Sequence, residues 1–422
     1  MKKMILIILF IFLAAAINVS AEVTLYLAPA YGTDGKDVQL TLEGLTNANF
    51  PRPKHHIPVL FVHGHYFGTN KSYQRDWQQP FNGLPSFRET LDLAENSWLE
   101  IEPYYIDLED YIDDEEKKNR SIDEDAFKIQ EAVKLILLHQ GDPGATHKKV
   151  AIIAYGKGAI SARCYLDKLW KEQNRRLSFH PVSELIAISP PNHGFPADRM
   201  DIMDRDSLEF QQLSNGYDEN CNRFPNPGSH DFIEKLNGHP IYDTMPNNYC
   251  ASIFDSEAPG SRRNNEPVQN GILYVTLYAK GNRDIAGGSE PSEDCQGRVL
   301  AKNLAPNAEN REVPGILNHK NYPEIPGGKD KPAVYQNTAH MPEVICKSLY
   351  TVVHHQAPPD ELIFGNAEKN NWKSPPIVPR RQPPQQDEAV VLLFDISHSM
   401  SRQYHRYDET RGIEEDRQPL TL

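Results

Sequence analysis

Several things are scarce in this chain. Cysteine is one: Cys164, Cys221, Cys250, Cys295 and Cys346 are the only five among 422 residues, too few for a small disulfide-framed scaffold. Positive charge is outnumbered, with 44 Lys and Arg against 58 Asp and Glu for a net charge of −14. That balance argues against a nucleic-acid partner and against electrostatic capture on anionic lipid, but not against neutral apolar substrates. Beyond the first residues no apolar run is long enough to span a bilayer. There is no internal repeat, and neither G-x-x-x-x-G-K-[ST] nor G-x-G-x-x-G occurs. What is left is a soluble composition, 39% hydrophobic and 24% charged, long enough for a full-sized core and a smaller second unit.

The leader is the first positive feature. Met1-Lys2-Lys3 is a short basic start, residues 5–17 are apolar, and Val19-Ser20-Ala21 supplies small residues for cleavage. This is the layout of a signal peptide over residues 1–21, and it implies a secreted or periplasmic product; an uncleaved anchor is the alternative. No cysteine lies near the cleavage site, which argues against a lipoprotein anchor. In an oxidising compartment the cysteine count matters. Cys164 falls within an expected helix, where a free buried thiol is common. Four then remain, with three pairings open, and Cys221 with Cys250 is the pairing expected to staple a loop-rich region.

Strands and helices alternate along the chain. Strands are expected within 22–45 (23–27 and 38–45), then at 57–62, 99–106, 150–154, 185–189, 272–279 and 333–335. The acidic run 109–116 reads as a solvated loop. Residues 121–140 read as a helix, with Ser121 and Glu124 as a capping box and Ile122, Phe127, Ile129, Val133, Ile136 and Leu137 as its apolar stripe. Further helices are expected at 158–171 and 342–353. The pattern predicts an α/β architecture, a doubly wound and mostly parallel sheet with helices on both faces. Residues 195–268, rich in Asn, Pro, Gly and Asp, break the rhythm. A proline-rich linker follows at 373–386, and a fresh apolar strand begins at 389.

The chemistry centres on VAIIAYGKGAISAR at 150–163. An apolar strand, a glycine-rich turn and a helix follow one another as in the G-x-S-x-G nucleophile elbow, with Ala154, Tyr155, Gly156, Lys157 and Gly158 at its five positions. Glycine at 156 has no side chain to attack a carbonyl. Ala154 and Gly158 supply the small residues that a tight turn demands, and Gly156 accepts a positive φ at little cost. Ser161 falls inside the helix, more than one turn away, and cannot take the same place.

Three further segments resemble the α/β-hydrolase lipases. HGHY at 63–66, after an apolar strand, resembles their oxyanion loop; ISPPNHG at 188–194 resembles the strand ending in T-P-H-x-G; LYAKGNRD at 277–284 resembles the strand and loop that carry the triad acid. With the elbow, these four occur in the order that the fold requires. The resemblance covers about 55–355 and implies a secreted triacylglycerol-lipase or esterase relative, with a hydrolase domain over 22–365 and a cap or lid at about 195–268. It places the oxyanion hole at the backbone N–H groups of His65 or Tyr66 and of Lys157. It makes Asp284 the acid, and His340 or, as the alternative, His319 in VPGILNH the histidine. His63 has a structural role in this motif. The resemblance implies no cofactor for the hydrolase domain.

VVLLFDISHSM at 390–400 resembles the first strand and D-x-S-x-S metal site of a von Willebrand factor A domain. Asp395, Ser397 and Ser399 are hard oxygen ligands suited to Mg²⁺. Residues 387–422 hold only the start of such a unit, so the site would be incomplete, and Mg²⁺ is expected only in an intact domain. The readings that follow are three: an impaired hydrolase-fold protein that binds an acyl or ester ligand or a protein partner; a slow carboxylic-ester hydrolase using water activated by an Asp284–His340 pair; or a surface or adhesion protein built around the A-type module.

Overall fold

Apolar runs at 57–62, 101–107, 150–155 and 182–188 form the middle of one eight-stranded sheet. The strands are β1 (Thr24–Leu27), β2 (Val38–Gln39), β3 (Ile57–Val62), β4 (Ile101–Asp107), β5 (Val150–Tyr155), β6 (Val182–Ile188), β7 (Leu273–Ala279) and β8 (Glu309–Val313). Their order across the sheet is β2-β1-β4-β3-β5-β6-β7-β8. Strands β3 to β8 run parallel, and β1 is antiparallel to both its neighbours. This computed structural model describes residues 23–27, 37–64, 73–80, 85–93, 100–109, 120–173, 180–194, 206–214, 232–237, 272–279, 309–313 and 338–359, all within the unit Met1–Pro376.

Strands β3 and β5 are apolar at every position because both faces of the sheet are covered. Alternate side chains divide between two cores. Leu60, Val62, Tyr104, Ile106, Ile152 and Ala154 face one core with α3 (Ile122–His139) and α4 (Lys157–Glu172). Val59, Phe61, Tyr105, Ile153 and Tyr155 face the other, with α2 (Phe87–Leu93) and α7 (Pro342–His354). The expected doubly wound sheet is thus present, with the strand order and covered faces of an α/β-hydrolase fold.

Helix α3 starts where the capping box places it: Ser121 Oγ accepts from the Glu124 N–H, and the Glu124 carboxylate accepts from the Ser121 N–H. Several elements differ from the sequence reading, which did not foresee α2. The alternating stretch 38–45 pairs with β1 only over Val38–Gln39, and then Thr41 caps the short helix α1 (Leu42–Thr46) through the Gly44 N–H. Strand β8, Glu-Asn-Arg-Glu-Val, carries no apolar alternation and forms by pairing with β7. Two short helices, α5 (Leu208–Leu213) and α6 (Phe232–Asn237), lie within the aperiodic 195–268 stretch. Residues 333–335, read as a strand, lie outside the described residues, as do the leader, the proline-rich linker and residues 387–422.

Candidate functional site

The carboxyl ends of the parallel strands meet at one edge, where open α/β sheets hold their ligands. Strand β3 runs out into His63-Gly64, β4 into Leu108, β5 into Gly156, and β6 into Ser189. At the strand–helix turn Gly156 has φ 52° and ψ −120°, a conformation that an L side chain rarely adopts. Its N–H donates to Ile188 O at 2.9 Å, and its carbonyl accepts from the Ala159 N–H at 3.1 Å. Gly156 therefore makes a sharp strand–helix turn in a backbone conformation that suits glycine. As the N-cap of α4 it makes no side-chain cap hydrogen bond, so it satisfies none of the helix's first N–H groups through a side chain.

The second glycine of the motif is required by contact. A Cβ on Gly158 would lie 2.3 Å from His63 O and 2.9 Å from Val62 Cγ1. The elbow helix therefore approaches the end of β3 as closely as backbone atoms allow. Gly64 is nearly as confined, with Tyr155 Cδ1 3.1 Å from where its Cβ would stand.

His63 has the structural role that the resemblance implied. Its Nε2 accepts from the Leu108 N–H at 2.9 Å, so Nδ1 carries the proton and donates to Gly64 O at 2.7 Å. A backbone N–H can only donate, which fixes the tautomer as neutral. The ring ties the turn after β3 to the end of β4. The Gly64 N–H in turn donates to Asp76 Oδ2 at 3.1 Å, and Asp76 Oδ1 is held by Arg75 Nε at 2.6 Å. Arg75 and Asp76 belong to a π-helical turn over Gln74–Gln78. Sequence reading missed this pair, since QRDWQ carries no periodicity or motif that would mark it.

His340 ends a 3₁₀ turn over Thr338–His340 immediately before α7, on the side of the sheet that carries Tyr155 and Ile188. It is fully buried, and its Nε2 donates to Gln79 O at 2.9 Å. Burial holds its pKa below the ordinary histidine value, against the raising effect of that carbonyl. The position before the last helix is the expected one. The ring's described hydrogen bond is to backbone, from the segment that also carries Asp76.

The backbone N–H of Lys157 follows Gly156 at the start of α4, and its side chain turns to two carboxylates. Nζ lies 3.1 Å from Asp125 Oδ2 and 3.1 Å from Glu209 Oε2, with all three side chains buried. Ser161 Oγ, 3.3 Å from Asp125 Oδ2, belongs to the same cluster and is closed to solvent.

His65, Tyr66, Asp284, His319, Asp395, Ser397 and Ser399 lie outside the described residues. Strand β7 ends at Ala279, shortly before Asp284, and β8 ends at Val313, shortly before His319. Cys164 is the buried free thiol that was expected. Cys346 in α7 is free and buried too, so it does not enter a disulfide, and the expected set of four for pairing shrinks to three.

No sequence-family model matches the chain, and no curated protein does. Solved structures similar to it include the mature form of a Bacillus licheniformis lipase, with 16% identity, 63% of this chain and 86% of that one covered, and a TM-score of 0.34. Aspergillus fumigatus lipase B has 14% identity, covering 80% of this chain and 63% of its own, with a TM-score of 0.40. Legionella pneumophila phospholipase PlaB, in complex with thio-NAD, has 16% identity, covering 71% of this chain and 57% of its own, with a TM-score of 0.41. This chain thus spans less than two thirds of the last two. Identities at this level speak to the fold alone. Among the described residues no helix is long and apolar enough to cross a membrane.

Proposed function

We propose that this chain keeps the frame of a lipase or esterase without its nucleophile, and that it binds an acyl or ester ligand, or a partner, where turnover would otherwise occur. The observation that carries this reading is Gly156, held at φ 52° and ψ −120° between β5 and α4. The conformation is the one a nucleophile requires, the residue has no atom that can attack, and the next N–H in the chain is that of Lys157, where the resemblance puts an oxyanion donor. Without a hydroxyl there is no acyl-enzyme, and with it goes most of the usual rate. The engagement of His340 Nε2 by the Gln79 carbonyl also supports a binding role over a water-activating one.

The leader at 1–21 supports a secreted or periplasmic location. An A-type module beginning within 387–422 is part of the proposal, with Asp395, Ser397 and Ser399 as oxygen ligands suited to Mg²⁺; titration calorimetry with Mg²⁺ tests it.

The test of the main reading is direct. Purified protein is incubated with a fluorophosphonate probe and with short-chain nitrophenyl esters, while binding of decanoate is followed by calorimetry. We expect binding without labelling and without turnover. Robust labelling, or ester hydrolysis that disappears in His340→Ala, would overturn it in favour of an active hydrolase.

A further inference from the structure

Two helices of the 195–268 insertion are fastened to the elbow helix, each by a buried cation. At the start of α4, Lys157 Nζ pairs with Glu209 of α5 and with Asp125 of α3, 3.1 Å from each. Arg120 Nε donates to the other oxygen of Asp125 at 3.0 Å. Among the described residues two cations therefore face two carboxylates in this buried group. Further along α4, Arg163 donates to Asn237 Oδ1 of α6 at 2.6 Å and to Asn192 Oδ1 at 2.8 Å, and Asn237 Nδ2 donates to Asn192 O at 2.9 Å.

A third tie comes from Gln212 of α5. Its Oε1 accepts from the Ile122 N–H at 2.6 Å, and its Nε2 donates to Asp123 Oδ2 at 3.0 Å. The apolar side of both helices, Phe210, Leu213, Ile233 and Leu236, is buried in the same core as α3 and α4.

The geometry points to a latched cap root: α5 and α6 are fixed parts of the core, clamped to the elbow helix, and do not lift away as a lid when a ligand enters. Lifting α5 would separate Glu209 from Lys157, open a buried charge cluster to water, and expose Phe210 and Leu213 together. Polar ties and apolar burial oppose the same motion, so neither can be released alone. The inference rests on the fold and not on the acyl-ligand reading.

Native-state hydrogen exchange on the full chain tests it, with and without decanoate. In the parent protein the amides of Phe210, Gln211 and Ser214 should be protected to within about tenfold of those in α4, and decanoate should not release them. Glu209→Gln keeps the side-chain shape and leaves Lys157 paired with Asp125. It should lower the protection of these three amides by about tenfold or more, with β5 and α3 unchanged.

The latch is overturned by exchange at unstructured-chain rates in the parent, or by release on adding decanoate. It is equally overturned if Glu209→Gln leaves the three amides as they were, or weakens every element equally. Decanoate binding is read separately by calorimetry. Its failure would sink the functional proposal and leave the latch standing, while a free cap root with intact binding would do the reverse.

Discussion

Returning a hydroxyl to position 156 probes both the backbone and the chemistry. At φ 52° and ψ −120° any Cβ is strained, at a cost of about 1–3 kcal/mol. Replacing glycine also restricts the unfolded chain, which offsets about 0.4–1 kcal/mol of that cost. Gly156→Ser and Gly156→Ala should therefore each destabilise by about 0.5–2 kcal/mol, and by similar amounts, because both add the same Cβ. Urea melts that shift midpoint at a shared m-value would read this out. Only the serine variant should gain a fluorophosphonate label and nitrophenyl-ester turnover, about a hundredfold or more above the glycine parent if a general base still reaches it. Two variants as stable as the parent would refute the claim that the elbow backbone is held in place. Two destabilised variants, with no labelling of the serine, would keep the fold and dismiss an intact oxyanion and histidine arrangement.

Other consequences follow from contacts and charges. Gly158→Ala puts a Cβ 2.3 Å from the His63 carbonyl, whereas at Gly144 the nearest atom is 3.8 Å away; denaturant melts should show a loss of about 1–3 kcal/mol or more for the first and within about 0.5 kcal/mol of zero for the second. Lys157→Met removes the buried cation that Glu209 and Asp125 share and should cost about 3–5 kcal/mol, part of which returns on adding Glu209→Gln, by about 1 kcal/mol or more in a double-mutant cycle. Stability should fall as the pH drops below 6.5, because burial lowers the pKa of His139 and His340 from that value in the folded state. The unfolded chain then binds more protons than the folded one, so the slope is positive with pH. Urea midpoints at pH 8 to 5 read this slope, and His139→Gln should reduce it. A second decline should begin below about pH 4. Burial raises the Asp142 carboxyl, but hydrogen bonds from the Thr146 hydroxyl and from the N–H groups of His147, Lys148 and Thr146 outweigh it and hold its pKa well below 3.8. Protonation there removes an interaction that only the folded state makes.

Much of the frame was legible because its signals are local. The Ser121–Glu124 box marks the start of α3 within one turn of helix, and the buried runs of β3 and β5 are apolar on both faces. Position 156 was legible as well: a glycine between an apolar strand and a helix reads as a sharp turn in any context. The helices α5 and α6 were not legible. Leu208–Leu213 and Phe232–Asn237 are each six residues long, too short for a helical period to stand out, and too short to be stable without packing. Strand β8 has no pattern of its own and depends on β7 for its hydrogen bonds. The partners of the Lys157 side chain were not legible either, because its two carboxylates come from 32 residues before it and 52 after it.

By itself the chain's order of residues determined the class of fold, the sharp turn at 156 and the start of α3, since each depends on side-chain period or on the identity of a residue within a few neighbours. Only the tertiary structure decided which groups face one another. It set His63 between two strands, gave Gly64 to Asp76, turned His340 toward a backbone carbonyl, and buried Lys157 between Asp125 and Glu209. Electrostatic and hydrogen-bond partners are chosen by distance in space, and a folded sheet brings together carboxylates and cations that no interval along the chain connects.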